Sequence, residues 1–291
     1  MELDQLRHAL GVLRHGGFTA AAGELGLSQS ALSRSVQRLE EELGRPLFER
    51  KARGVEPTEA GRLVAARAAQ ILKLADDTRA EITDDGQTGE VRVGAIPTVA
   101  PYFLPGLLRS FAADFPQARV SIQEDTTDRL LRRCDQGELD VLVLALPVAA
   151  KYLQADALFD EELFLLLPAG HPLAAAEAVT LDDVRPHPFI LLGEAHCLSE
   201  QVLTFCRSRQ VQPLSVERTS QLATVQELVA LGHGLSLVPA MARRLDDSPS
   251  RAYRSLSPEP PRRTIAAVWN PDRFQSRLCQ AFRERLARHR P

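Results

Sequence analysis

Four cysteines, Cys134, Cys197, Cys206 and Cys279, carry the most reactive chemistry open to this 291-residue chain. A thiolate is the form that attacks electrophiles and binds metals, so each cysteine is inert until its surroundings favour ionisation. The chain has no C-x-x-C and no H-E-x-x-H, which argues against a zinc site; no metal and no cofactor is expected. Four cysteines are too few for a disulfide scaffold, and in a reducing compartment any disulfide would be transient, catalytic or sensory. Spacing alone is equally compatible with small buried hydrophobes. A second chemical set is Gln29, Ser30, Ser33, Arg34 and Gln37, which share one face if their segment is helical. Glutamine can pair bidentately with an adenine edge, and arginine can reach guanine or phosphate.

The segment holding that face begins at Ser28, a good N-cap, and runs to Leu43 before Gly44, with Ala31, Leu32, Val36, Leu39 and Leu43 as its apolar side. Two helices precede it. Leu3 to Arg14 aligns Leu3, Leu6, Leu10 and Leu13, and Phe18 to Leu25 ends at Gly26. Two short helices joined by a glycine turn, the second slim and polar at its start, form a helix-turn-helix suited to a major groove; an ordinary helical hairpin is the alternative. Pro46 to Val55 reads as a basic wing.

Charge supports the arrangement more than the total does. Residues 1–57 hold eight basic and eight acidic side chains, but Arg45 to Arg53 holds four basic residues against Glu49 alone. Local clustering is what a phosphate backbone feels.

A composition of 44% hydrophobic and 25% charged residues excludes disorder as the main state. The longest apolar run, Val141 to Ala150, contains Pro147 and falls short of the ~18 residues that span a bilayer. Glu2, Asp4 and Arg7 stand where a secretory signal needs apolar residues, so a cytoplasmic location is expected.

From Thr58 to about Ile82, a helix with Gly61, Val64, Ala68, Ile71, Ala75, Thr78 and Ile82 at alternating steps of three and four predicts a seam for a second subunit; packing on its own domain is the alternative. Asp84 to Gly89 is a polar break. Beyond it strands and helices alternate, which predicts helices covering largely parallel sheets. Strands are expected at Val91–Ile96, Ala118–Glu124, Val141–Leu146, Phe164–Leu167, Pro188–Leu192, Leu214–Arg218, Leu235–Val238 and Thr264–Trp269. Helices are expected near Pro101–Phe115, Thr127–Gly137, Ser199–Ser208, Leu222–Gly232 and Phe274–His289. The late return of a strand and helix suggests two lobes with a cleft.

From Phe18 to Gly61 the chain closely resembles the winged helix-turn-helix of LysR-type transcriptional regulators, and the remainder resembles that family's periplasmic-binding-protein-like effector module. The phrases PTVAPYFLP (from Pro97), LLGEAHCL (from Leu191), the nine-residue step to Cys206 and PRRTI (from Pro261) resemble the OxyR-type, peroxide-sensing branch. The resemblance implies an α/β multidomain protein. Residues 1–57 would be the DNA-binding domain, 58–88 a long linker helix and hinge, and 89–291 a two-lobed α/β effector domain. Lobe I would cover about 89–161 and 267–291, and lobe II about 162–266.

It further implies that Cys197 is the peroxide-reactive thiolate and Cys206 the resolving cysteine. Thr98, Thr127 and His196 would organise peroxide and its water, and Arg263 would support the thiolate. Thr19, Ser28, Gln29, Ser30, Ser33, Arg34, Gln37, Arg50 and Arg53 would meet DNA. The implied partners are double-stranded promoter DNA, further copies of the chain as a homodimer or homotetramer, RNA polymerase, and hydrogen peroxide as effector, in a regulator that is not an enzyme. Ala195 departs from the usual glycine, and Cys134 and Cys279 lie outside the pattern. If Cys197 and Cys206 share a helix, nine steps of ~1.5 Å advance ~13.5 Å and turn about 900°, onto opposite faces. A disulfide tolerates at most about 6.8 Å between Cα atoms. Closing it would have to break the segment Cys197 to Arg207, a two-state switch. The competing reading is a LysR-type regulator of a small anionic metabolite held in the cleft by Thr98, Thr127 and Thr219-Ser220. A thiol peroxidase would have no use for residues 1–57, and a solute-binding transport protein would need an export signal.

Overall fold

The computed structural model describes residues 1–51, 54–193, 197–210, 214–219 and 221–290. The chain divides into two units, Met1–Thr83 and the residues from Asp84 onward.

The first unit contains α1 (Leu3–His15), α2 (Phe18–Glu24), α3 (Gln29–Leu43), a hairpin of β1 (Phe48–Arg50) and β2 (Val55–Pro57), and α4 (Glu59–Thr83). The Ala31 N–H donates to Ser28 Oγ at 3.2 Å, the cap expected from the sequence. Leu32, Val36 and Leu39 anchor α3, while Ala31 is half-buried and Leu43 exposed, so the buried stripe is narrower than the apolar residues suggested. Glu40 turns back from α3 and accepts from the Leu47 N–H at 2.6 Å, fixing the start of the wing. Phe18 meets Phe48 edge-on at 5.8 Å, joining α2 to the wing. A Cβ at Gly61 would lie 2.0 Å from the Leu47 carbonyl oxygen, so only glycine lets α4 approach so closely.

The expected seam on α4 is divided between two faces. Gly61, Val64 and Ala68 turn inward, Val64 and Ala68 joining a core with Leu6, Leu39 and Leu47, because α1 and the wing need cover. Ile71, Thr78 and Ile82 are exposed, together with Leu63 and Leu74. These five fall within an arc of ~100° at 100° per residue.

The second unit runs β3 (Gly89–Ala95), α5 (Ala100–Asp114), β4 (Ala118–Glu124), α6 (Thr127–Asp135), β5 (Val141–Ala145), β6 (Gln154–Pro168), β7 (Val179–Thr180), α7 (Leu181–Val184), β8 (Pro188–Leu192), α8 (Cys197–Ser208), β9 (Leu214–Thr219), α9 (Leu222–Ala230), β10 (Ser236–Pro239), α10 (Ala240–Arg244), β11 (Arg251–Arg254), β12 (Leu256–Ser257), β13 (Arg262–Trp269) and α11 (Arg277–Arg288). A seven-stranded sheet has the order β10-β6-β13-β5-β3-β4, with β11 also on β6. β3 is parallel to β4 and β5, but β13 is antiparallel to both β5 and β6, and β10 and β11 are antiparallel to β6. The sheet is therefore mixed where largely parallel sheets were expected, because β13 returns in the direction opposite to both β5 and β6.

β6 joins two cores. Its residues from Gln154 to Glu162 pair with β13, and from Leu163 onward it pairs with β10 and β11. One core gathers Val93, Phe103, Leu142, Ile265 and Phe282; the other gathers Leu165, Ile190, Val202, Cys206 and Leu237. Ile265 and Ala266 belong to the first core. The first half of β6 escaped sequence reading because Asp156, Asp160, Glu161 and Glu162 interrupt its apolar pattern.

Candidate functional site

The polar face of α3 is built as its residue types require. With Leu32, Val36 and Leu39 turned inward, Thr19, Ser28, Gln29, Ser30, Arg34 and Gln37 are exposed and Ser33 is half-buried. Gln37 donates to Glu41 at 2.9 Å. Among the described residues, Gln29 and Arg34 make no side-chain hydrogen bond or ion pair, so both are free to meet a ligand. In the wing, Lys51 lies 3.2 Å from Glu49 and 3.8 Å from Glu56, which offsets part of the basic cluster. Arg53 and the Arg50 side chain lie outside the described residues.

The thiol site lies in the second unit. Thr98 follows β3 and Thr127 opens α6 after β4, so both stand beyond the carboxyl ends of parallel strands, where α/β sheets hold ligands. Cys197 lies in the first turn of α8 and Arg263 near the start of β13. Arg263 is buried. Its Nε donates to Glu161 Oε1 at 2.7 Å, its Nη1 to Thr98 Oγ1 at 2.9 Å and its Nη2 to the Thr98 carbonyl at 3.1 Å. Thr98 is an acceptor for this guanidinium, and its hydroxyl proton remains available to donate.

Cys197 is half-buried, whereas Cys134, Cys206 and Cys279 are buried. Burial raises the Cys197 thiol above its ordinary value; Arg263, the Thr127 hydroxyl and backbone N–H groups at the head of α8 oppose that rise. Burial alone pushes Cys206 up to about 11, and burial first among several causes pushes Cys134 and Cys279 up to about 12. Apart from its influence on Cys197, the buried Thr127 hydroxyl has no hydrogen-bond partner among the described residues, leaving a donor for negative charge on the sulfur or on a ligand beside it. Cys197 also opens onto a groove of about 610 Å³ walled by Leu146, Pro147, Val148, Gln201 and Phe205. Gln201 donates to the Leu146 carbonyl at 2.8 Å and ties α8 to the end of β5.

The structure thus brings Cys197, Thr127, Thr98 and Arg263 together and sets Cys206 apart. Cys197 packs against the first core, while Cys206 belongs to the second, at the far end of the same helix. His196 lies outside the described residues. Sequence reading missed Glu161 and Gln201. The signal for Glu161 was present, since two adjacent carboxylates inside an apolar strand need a reason.

A helix-turn-helix with a free polar face, on one chain with an α/β unit that holds a half-buried thiol, defines the class of transcriptional regulators that couple a sensory domain to DNA. Residues 3–62 match the bacterial regulatory helix-turn-helix model of the lysR family, and residues 84–291 match the LysR substrate binding domain. The chain belongs to the LysR family. It is 32% identical over 300 residues to the DNA-binding transcriptional dual regulator OxyR of Escherichia coli, covering 99% of this chain and 97% of that protein. A full-length OxyR variant from Pseudomonas aeruginosa superposes with a TM-score of 0.79 at 31% identity, covering 99% of this chain and 94% of that one. A hydrogen-peroxide-bound OxyR mutant from Corynebacterium glutamicum does so with a TM-score of 0.67 at 31% identity, covering 99% and 91%. Among the described residues, no helix is long and apolar enough to cross a membrane.

Proposed function

We propose that this chain is a cytoplasmic, DNA-binding regulator that senses hydrogen peroxide through Cys197 and Cys206. The observation that carries the reading is one half-buried thiol beside a buried arginine and a buried hydroxyl that has no other partner among the described residues, with a second thiol on the opposite side of the same helix. The hydrogen-peroxide-bound Corynebacterium glutamicum mutant points the same way. The Cys197 thiolate attacks one peroxide oxygen and the O–O bond breaks. The other oxygen leaves as hydroxide, takes a proton to become water, and leaves a sulfenic acid. Thr98 and Thr127 donate to the oxygen on which charge develops, and Arg263 favours the thiolate. The Cys206 thiol then attacks the sulfenic sulfur and expels a second water, so two thiols and one peroxide become a disulfide and two waters. The reaction is stoichiometric signalling rather than turnover, so the chain acts as a regulator and not as an enzyme. His196 is retained as a peroxide-organising residue.

Residues 1–57 read promoter DNA through Thr19, Ser28, Gln29, Ser30, Ser33, Arg34 and Gln37 with Arg50 and Arg53. Residues 58–88 pair subunits, the exposed stripe of Leu63, Ile71, Leu74, Thr78 and Ile82 being the natural seam for a homodimer and, through it, a homotetramer. RNA polymerase is the downstream partner. The competing reading, an anionic metabolite on Thr98, Thr127 and Thr219-Ser220, is weakened because the adjacent cation, Arg263, is already paired with a carboxylate; Ser220 lies outside the described residues. DNA footprinting of reduced and peroxide-treated protein tests the proposal. The footprint is expected to change on oxidation and to stay in its reduced form in Cys197→Ser. A peroxide response that survives Cys197→Ser would overturn it.

A further inference from the structure

We propose that Glu161 sets the threshold of the thiol site: its carboxylate both positions the Arg263 guanidinium and neutralises it, so that Cys197 meets a restrained positive charge instead of a free one. The inference rests on the reading of Cys197 as the reactive thiol. Glu161 and Arg263 face one another in register on β6 and β13, where the sheet passes from one core to the other. Their side chains are 4% and 0% exposed, so water screens the pair little. Glu161 Oε1 accepts from Arg263 Nε at 2.7 Å and lies 2.6 Å from Nη2, while Oε2 accepts from the Met241 N–H at 3.2 Å. With Thr98 holding Nη1 and Nη2, the guanidinium cannot turn toward the sulfur.

The carboxylate has two opposing effects. A guanidinium buried with no counter-charge would be strongly destabilising, so Glu161 is what permits a cation at this depth. The field of an ion pair also falls off faster than that of a lone charge, so the pair supports a neighbouring thiolate less than Arg263 alone would. Among the described residues, the other groups around Cys197 are the Thr127 hydroxyl from α6 and, on the groove side, Glu200 from α8 and Arg262 from β13. A restrained thiol suits a sensor that must ignore basal oxidant.

The test uses the full chain and follows Cys197 alkylation by iodoacetamide against pH, read by mass spectrometry, together with the rate of Cys197 oxidation by hydrogen peroxide at pH 7. In Glu161→Gln the amide oxygen retains an acceptor for Arg263 while the charge is gone. The alkylation midpoint is expected to fall, and oxidation to quicken roughly threefold to tenfold, because a drop of one pH unit multiplies the thiolate fraction by up to ten. Arg263→Gln is expected to move both readouts the other way. The double variant Glu161→Gln/Arg263→Gln replaces the pair by two amides of similar size, and its midpoint should lie below that of Arg263→Gln alone. That comparison carries the test if Glu161→Gln does not fold. A folded Glu161→Gln protein with an unchanged or raised midpoint, or a double variant no lower than Arg263→Gln, would overturn the proposal. Midpoints that shift as expected in a protein that peroxide never oxidises would leave the charge-setting role standing and remove the peroxide reading.

Discussion

Cys197 and Cys206 stand near opposite ends of one helix and pack into two different hydrophobic cores. Nine helical steps separate their Cα atoms by ~13.5 Å, about twice what a disulfide accepts. The bond cannot close while α8 is intact. Peroxide-treated protein is therefore expected to show a Cys197–Cys206 linkage together with lost amide-exchange protection across residues 197–208, and Cys206→Ser to stop at the sulfenic acid with the helix protected. Linked protein that keeps this protection would contradict the account.

Gln201 is the clamp that holds α8 on the end of β5. Its amide donates to the Leu146 carbonyl at 2.8 Å, and its Oε1 is buried without a partner among the described residues. Gln201→Ala leaves that carbonyl unpaired at a cost of ~1–3 kcal/mol. A lower Tm is expected, with faster closure of the disulfide once Cys197 is oxidised, because less of the helix's docking must be broken. Stopped-flow measurement of closure checks this; an unchanged rate would show that Gln201 does not restrain the switch.

The buried thiols make the fold sensitive to alkali. Cys206 is pushed up to about 11 and Cys134 and Cys279 up to about 12 from an ordinary 9.0. Above pH 9 the unfolded thiols lose their protons while the native ones keep theirs, so the unfolded state binds fewer protons and stability falls as pH rises. The stabilisation is fully present below pH 9 and drains away toward pH 11–12, at roughly 1.4 kcal/mol per thiol per pH unit. Tm measured from pH 8 to 11 at constant ionic strength should decline, and less steeply in Cys134→Ala and Cys279→Ala even though both start lower. Equal slopes in all three proteins would refute the assignment.

Arg34 and Gln29 are exposed and unpaired among the described residues, so their removal should cost binding without cost to folding. Arg34→Ala and Gln29→Ala are each expected to weaken promoter binding by ~1–3 kcal/mol if the side chain reads a base. If Arg34 meets phosphate instead, the salt dependence of binding should lose about one unit of slope. Ser28→Ala should in addition cost stability, at ~1 kcal/mol for the lost cap. Fluorescence anisotropy at several salt concentrations separates these effects, and unaltered affinity of Arg34→Ala at every salt would remove it from the interface.

The cap at Ser28, the stripe of Leu32, Val36 and Leu39 and the glycine stops at Gly26 and Gly44 were legible because each acts within a turn or two of helix. The polar break before β3 and the motifs around Thr98, Cys197 and Arg263 were legible for the same reason: residue type and short spacing carry them. The face that α4 would bury was not, since the periodicity of Gly61 to Ile82 fits two seams and only the arrival of α1 and the wing decided which half turned inward.

What the amino-acid order determined by itself was the inventory: a helix-turn-helix with a free polar face, an α/β unit, and two cysteines that one helix would hold apart. Tertiary structure decided their electrical and mechanical setting. Glu161 meets Arg263 across 102 positions and Thr98 meets it across 165, while Gln201 reaches Leu146 across 55. No local pattern encodes such pairings. The two made by Arg263 arise where β6 and β13 cross between two cores, and the low dielectric there makes each buried charge depend on the partner the fold delivers.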